Sequence, residues 1–523
     1  MHNSQITMHK CVKYILFFIV VTIAMCPATA QEAVDSAAVM RRVGRNALEI
    51  EQLLSLPWSN PAVMQFKRDY SLSEVRVGYT SRNENQAVDV QQGDKDYTLA
   101  FDACTYMKHR NSTLWGEAYY NNGRIKGINW NETSEPQVVQ PYVLADSVGG
   151  KMNVERYSFM GGWANYNGRW AVGASLGYTA GLYYRNVDPR PRNVTACLDA
   201  QVGIGYNVWN GYVIAASLNY RKYKQTNNVA FYSELGSDKI FHLVGFANDY
   251  SRFAGTGIQT YYNGNRLGAT LNFQPSGGSG FSASVNASRF SFNNIITQLN
   301  KLPMAHVTHN QLQAEVGWIG ANWGVRAHVG ASRRVGTENI FGDPAGSVYT
   351  QIGALDMYHQ NRFEAGIAGV WEKNWWTTSS TTCMGLAVCP TIEYSHLNEI
   401  YSDPASLRQI NEMNYSLKLK FTTMLSWRTH LALVLGVNHA EPTKTSLDFD
   451  SGEVKPELAG LERVVRSSFE YMSSGRTSFN TSASVTVAIN KKYALRGKAG
   501  WQRTAYVMST RRNELDFSLS FLF

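Results

Sequence analysis

The sequence predicts an all-β protein: an antiparallel transmembrane β-barrel of about 20 strands, within a range of roughly 16 to 22, preceded by a short N-terminal helical segment. Three observations carry that expectation. Segments of period-two hydrophobicity run through most of the chain. The links between them divide into short turns and long loops, and the chain ends on an alternating strand closed by Phe523.

Composition removes the competing classes. The 523 residues include 43 Gly, 29 Tyr, 22 Phe and 13 Trp, with 44% apolar and 17% charged residues. Such aromatic content excludes intrinsic disorder. A mean hydropathy of −0.28, with one long apolar run at the N-terminus, excludes a bundle of transmembrane helices. The net charge of +9 is mild for this length and calls for no nucleic-acid partner.

The N-terminus is read as an export signal. Lys10 and Lys13 precede an apolar run from Tyr14 to Met25, too short to span a bilayer, and Ala28-Thr29-Ala30 supplies a small-residue cleavage site. Residues 1–30 are therefore expected to be a cleaved signal peptide. Met25 is too bulky for Cys26 to read as a lipoprotein site. Cleavage leaves Cys104, Cys197, Cys383 and Cys389, too sparse for a disulfide-stapled domain. On one extended strand Cys383 and Cys389 would stand roughly 20 Å apart and could not bond.

Residues 31–70 read differently from the rest. Val34, Ala37, Ala38, Val43, Ala47, Ile50, Leu53 and Leu54 suggest a helix over 33–55, expected in the lumen or at the periplasmic mouth. Residues 71–523 are assigned to the barrel. In Trp170 to Arg185, large apolar side chains alternate with Ala, Gly, Ser and Thr. Tyr415, Leu417, Leu419 and Phe421 alternate with Ser416, Lys418 and Lys420. An apolar face against a small or polar face, in segments of this length, suits lipid outside and a polar lumen inside. A soluble sandwich would have strands of about 5–6 residues.

Asn167-Gly168, Asn210-Gly211 and Asn263-Gly264 are read as hairpin turns. Long links are expected at 81–95, 123–150, 224–254, 395–412 and 442–476. The strand count between 225 and 395 stays open by one or two.

Candidate chemistry is sparse. Gly173-Ala174-Ser175-Leu176-Gly177 matches a nucleophile-elbow pattern, but it lies mid-strand rather than at the sharp strand-to-helix turn which that chemistry needs. His306 and His309, placed in a loop, have no third metal ligand. Asp448, Asp450 and Glu453 lack the glycine position of a calcium loop. No catalytic residue, metal or cofactor is assigned. The expected lumen wall carries Glu74, Arg76, Asp102, Asp199, Glu364, Lys418, Lys420, Arg496 and Lys498. These form either a ladder of ion pairs or, through Lys418, Lys420, Arg496 and Lys498, a basic stripe that selects anions. In the long links, Trp130 and Tyr142 are the loop candidates. They either fold inward as a constriction or anchor a partner.

Residues 127–150, which open Gly127-Ile128-Asn129-Trp130-Asn131-Glu132 and close Ser147-Val148-Gly149-Gly150, and the stretch Asn186-Val187-Asp188-Pro189-Arg190-Pro191 resemble those of an uncharacterised outer-membrane β-barrel family of Bacteroidota. The resemblance runs through most of the mature chain. It implies a barrel in the cell outer membrane, inserted by the outer-membrane assembly machinery, and no catalytic residues. The terminal Phe523 resembles the insertion signal of such barrels. More weakly, Asn60-Pro61-Ala62 is similar to the N-terminal motif of long-chain fatty-acid transporter barrels. The function expected from this is solute passage, or service to an outer-membrane uptake system with one of its proteins as partner. The alternative is a non-transporting surface or scaffold barrel that binds another envelope protein through its long loops.

Overall fold

A chain that must cross lipid on strands has no water to satisfy an open sheet edge, so the sheet has to close on itself. In the computed structural model it does. The structure describes residues 38–523 apart from 210, 235–238, 254, 256–258, 347, 377–381, 427, 450–455 and 507–509. The expected signal peptide lies outside the described residues.

Eighteen strands form one antiparallel sheet. The first, Leu72–Glu84, pairs with the second, Lys95–Lys108, and also with the last, Arg511–Leu522, which closes the barrel. Strands run from 12 to 26 residues. About 10 residues suffice to cross a bilayer, so the longest project well beyond it.

The outer face is apolar. Leu417 and Leu419 are exposed on it, whereas the alternate Lys420 is buried against the N-terminal segment. One rim carries short turns such as Asn167–Arg169, where Gly168 takes a φ of +90°. Trp163, Trp170, Trp318, Trp323, Trp371 and Trp375 stand exposed on strand ends at that rim, an aromatic girdle for a membrane interface.

Several expectations need correction. Among the described residues, the helix expected over 33–55 is α-helical only at Ala38–Asn46 and continues as 3₁₀ turns at Ile50–Gln52, Leu56–Ser59 and Pro61–Phe66, while 33–37 lie outside them. Pro57 and Pro61 lack the amide hydrogen a longer helix would need. Asn263-Gly264 is not a turn but lies inside the strand Gln259–Pro275. There Gly264 admits Phe292, whose Cβ would stand 2.7 Å from any added methyl. His306 and His309 sit on the strand Leu302–Ile319 rather than in a loop. The link expected at 395–412 shrinks to a tight connection between Thr382–Tyr401 and Ser406–Ser426. The link expected at 442–476 starts later, because Thr429–Phe449 is strand, and it contains the α-helix Ala459–Met472. Asp448 is therefore in a strand, while Asp450 and Glu453 lie outside the described residues. Cys383 and Cys389 do share one strand; the side chain of Cys383 lies outside the described residues.

Candidate functional site in the lumen

The chain's own segments fill the barrel interior at both ends. Residues 38–70 form a ring against the wall near the short-turn rim. Val39, Met40 and Val43 bury their apolar face on Leu72, Ala488, Ala494 and Leu522, beside the barrel's closing seam. The segment then visits the strands in turn. Glu49 pairs with Lys418 and Lys420. The Ile50 amide donates to Glu372 Oε2 (3.1 Å), and the Ser55 and Leu56 amides each donate to Glu315 Oε1 (3.1 Å). Asn60 Nδ2 donates to Asn272 Oδ1 (2.8 Å), and Gln201 donates to the Ser59 carbonyl (2.6 Å). Last, Tyr106 donates its hydroxyl hydrogen to the Met64 carbonyl (2.6 Å).

The small residues of the wall make this path possible. A methyl added to Gly173 would lie 2.4 Å from the Pro61 carbonyl carbon, and other ring atoms crowd Gly317 and Gly324. Glycine in mid-strand costs stability and marks close approach of another backbone. Here that backbone is the chain's own. Burial pushes the Glu49 carboxyl up, but the Lys420 and Lys418 ammonium groups outweigh it and hold the carboxyl below its ordinary range.

The opposite end is filled by long loops folded inward. Residues 129–149 enter the lumen and pair Val143–Ala145 with Phe241–Gly245, which pairs in turn with Asn248–Asp249. Trp130, Tyr142, Phe241, Leu243, Phe253 and, from the helical loop, Leu458 and Leu461 build one apolar core with inward residues of the wall. Trp130 and Tyr142 are 3% and 0% exposed. Trp130 adopts a left-handed φ of 53°, with its carbonyl accepting from Gln91 (2.9 Å). Tyr262 donates to the Tyr142 carbonyl (2.6 Å). Burial holds the Tyr142 hydroxyl well above its ordinary range, and complete burial drops His242 to about 4, so it is neutral in the plug.

Charge also fixes the plug. Arg185, just past the end of Trp170–Tyr184, reaches Glu132 (2.8 Å) and Asp146 (3.2 Å), all three nearly or fully removed from solvent. The other Asp146 oxygen accepts from the Val148 and Gly149 amides (2.6 and 2.7 Å). Arg334 on the wall donates to the carbonyls of Gln137 and Gln140 (3.3 and 3.1 Å).

Between plug and wall the lumen keeps open space. One cavity of about 840 Å³ adjoins the first and last strands and is lined by Arg82, Asp96, Glu135, Lys498, Arg512 and Asp516 among others. A second, of about 490 Å³, lies between the plug and the strands that carry His309, Arg334, Arg362 and Glu399.

Among the four cations singled out from sequence, Lys418 and Lys420 face Glu49 of the ring. Arg496 lies 3.7 Å from Glu74, and Lys498 3.5 Å from Asp516. The four are not brought together: Lys418 and Lys420 lie on Ser406–Ser426, three strands from Ala494–Tyr506, which carries Arg496 and Lys498. Arg76 pairs with Asp102 (2.8 Å) and Arg221 with Asp199. Inward residues that sequence reasoning did not single out are Arg266, Arg334 and Arg362. Period-two alternation carries the signal for Arg266, but a turn read at Asn263-Gly264 breaks it there. Among the described residues no group of three His, Cys, Asp or Glu is arranged to hold a metal ion.

An 18-stranded transmembrane barrel filled by its own segment 38–70 and by inward-folded loops is the class that fold and lumen define. Residues 61–523 match the model of the Family of unknown function (DUF6850), and the chain belongs to that family. No curated protein matches the chain. Solved structures that overlap it include the ferric preacinetobactin receptor BauA from Acinetobacter baumannii, at 10% identity and a TM-score of 0.39, covering 87% of this chain and 80% of that one. The outer membrane transporter YddB from Escherichia coli overlaps at 8% identity and a TM-score of 0.40, covering 87% and 81%. For the siderophore receptor PiuA from Acinetobacter baumannii the values are 7%, 0.39, 87% and 82%. These overlaps are loose.

Proposed function

We propose that the chain is an outer-membrane barrel for solute passage, closed at rest by its N-terminal ring and by the inward-folded plug. One observation carries this reading. Barrels of about 16–18 strands are wide enough for an aqueous channel, and this one is filled by separable segments of chain rather than by wall side chains alone. Beside their apolar contacts, both fillers are tied to the wall by polar groups, such as the Ser55 amide on Glu315 and Arg334 on the plug-loop carbonyls, and cavities with charged linings remain beside the plug. The apolar outer face and the tryptophan girdle support placement in the outer membrane, as in the Bacteroidota barrels the sequence resembles.

The alternative, a scaffold that docks another envelope protein through its loops, would need apolar anchors on display. Trp130 and Tyr142 are unavailable for that while the plug stays folded, because both are buried in it. Liposome swelling tests the reading. Vesicles carrying the refolded chain should admit small sugars slowly and should admit them much faster when Arg185→Met loosens the plug. Vesicles as tight as protein-free ones in both cases would refute passage.

A further inference from the structure

Most inward charges of this barrel are matched by a partner of opposite sign. One sector is different. Arg266, His309 and Arg334 lie at one level of the wall, since Arg266 pairs with Phe290, Phe290 with His309, and His309 with Arg334 in register. Arg362 follows one position further along the same face, opposite Ser332. Among the described residues none of the three arginines has a carboxylate within ion-pair distance. Arg266 donates to Ser288 (2.8 Å) and Gln311 (3.1 Å), both neutral, and Arg334 donates only to the two plug-loop carbonyls. Buried Nε of Arg334 and buried Nδ1 of His309 have no hydrogen-bond partner.

Arg334, Arg362, His309 and Gln311 line the 490 Å³ cavity. Three carboxylates line it too. Glu399 is committed to Arg408 and Gln360, and Asp89 to Gln91 and Gln92. Glu364 lies over Gly330, two face positions from Arg334 toward the short-turn rim. Guanidinium groups present planar pairs of donors that match carboxylate and phosphate oxygens, and they bind these more strongly than they bind neutral carbonyls.

We propose that this sector is a binding site for an oxyanion, a phosphate or carboxylate group of a solute, held by Arg334 and Arg362 with Arg266 beside them. As cargo the ligand rests on the reading of the barrel as a solute pathway; as a bound anion it does not. Because Arg334 holds the carbonyls of Gln137 and Gln140, an arriving oxyanion competes directly with the plug loop for that guanidinium.

Calorimetric titration of the detergent-solubilised full chain with inorganic pyrophosphate, and separately with citrate, tests the site. Binding of at least one is expected, and it should weaken about tenfold in Arg362→Gln or Arg334→Gln, the worth of one charge-assisted hydrogen-bonding group. Arg362 has no bonded partner to lose, so that variant should keep the barrel's circular dichroism. Lys498→Gln, in the other cavity, should bind as the unaltered chain does. Binding of pyrophosphate alone would assign phosphate, and of citrate alone carboxylate. No binding of either at millimolar concentration, or an affinity in both arginine variants equal to that of the unaltered chain, would overturn the site. Binding without solute flux in any variant would refute passage and leave the site standing; flux without binding would do the reverse.

Discussion

Asn60 lies flat against Gly203: a methyl group added at Gly203 would fall 2.3 Å from Asn60 Oδ1. The two residues belong to the ring and to the wall strand Arg190–Asn207. Oδ1 of Asn60 also accepts from the Ala62 amide (3.0 Å), so the side chain that caps the 3₁₀ turn at Pro61–Phe66 is the one that needs the space. Gly203→Val should therefore push the ring off the wall at an overpacking cost of about 1–3 kcal/mol, while the outward Val202 and Ile204 keep the strand in place. Limited proteolysis reads this directly. Cleavage within 53–66 should accelerate in Gly203→Val, and an unchanged rate would mean the contact is slack.

The register of the wall is testable on one strand. Leu419→Arg places a charge on the outer face and should cost about 2–4 kcal/mol if it lies near the bilayer midplane. Lys418→Gln should cost far less, because its side chain is 43% exposed to the lumen and Glu49 retains Lys420. Urea titration of the vesicle-inserted protein measures both. Equal losses would contradict the inside-outside assignment.

Breaking the plug's charge cluster should be expensive locally. Arg185→Met leaves Glu132 and Asp146 buried without their cation, a loss of about 3–5 kcal/mol for removing one partner of a buried pair. Hydrogen exchange should show faster exchange at 129–149 with little change in the barrel strands. Protection of 129–149 equal to that of the unaltered chain would mean the apolar core alone holds the plug.

Acid should loosen the same plug. His242 is neutral when folded because burial drops it to about 4, below its ordinary 6.5. Between those values the opened plug binds the proton and the closed plug does not. The stabilisation is thus complete above pH 6.5 and lost as pH falls toward 4, up to about 3 kcal/mol. Hydrogen exchange at 241–249, corrected for intrinsic rate, should rise across that window and stay flat in His242→Leu. A flat profile in the unaltered protein would contradict the assignment.

The wall was legible in the sequence because alternation is local: Leu417, Lys418 and Leu419 declare their faces through their nearest neighbours. Whatever depends on distant contacts was not. Glu49 meets Lys418 across 369 residues, and no local pattern relates them. Asn263-Gly264 has the composition of a hairpin turn, but the space its glycine provides serves Phe292 on the next strand. The plug's sheet is built from strands of three, five and two residues, too short for any periodicity to emerge. The inward pull on Trp130 and Tyr142 comes from wall aromatics such as Tyr262 and Phe292, far from them in sequence.

Single-channel conductance in planar bilayers tests the central claim, that ring and plug together close an otherwise open barrel. The refolded full chain should show at most small, infrequent openings. Arg185→Met, which loosens the plug, and deletion of 31–58, which removes most of the ring, should each raise the open time or unit conductance, and the two together should give the largest, steady pore. A large steady conductance in the unaltered chain, or a silent bilayer with the inserted double variant, would contradict it.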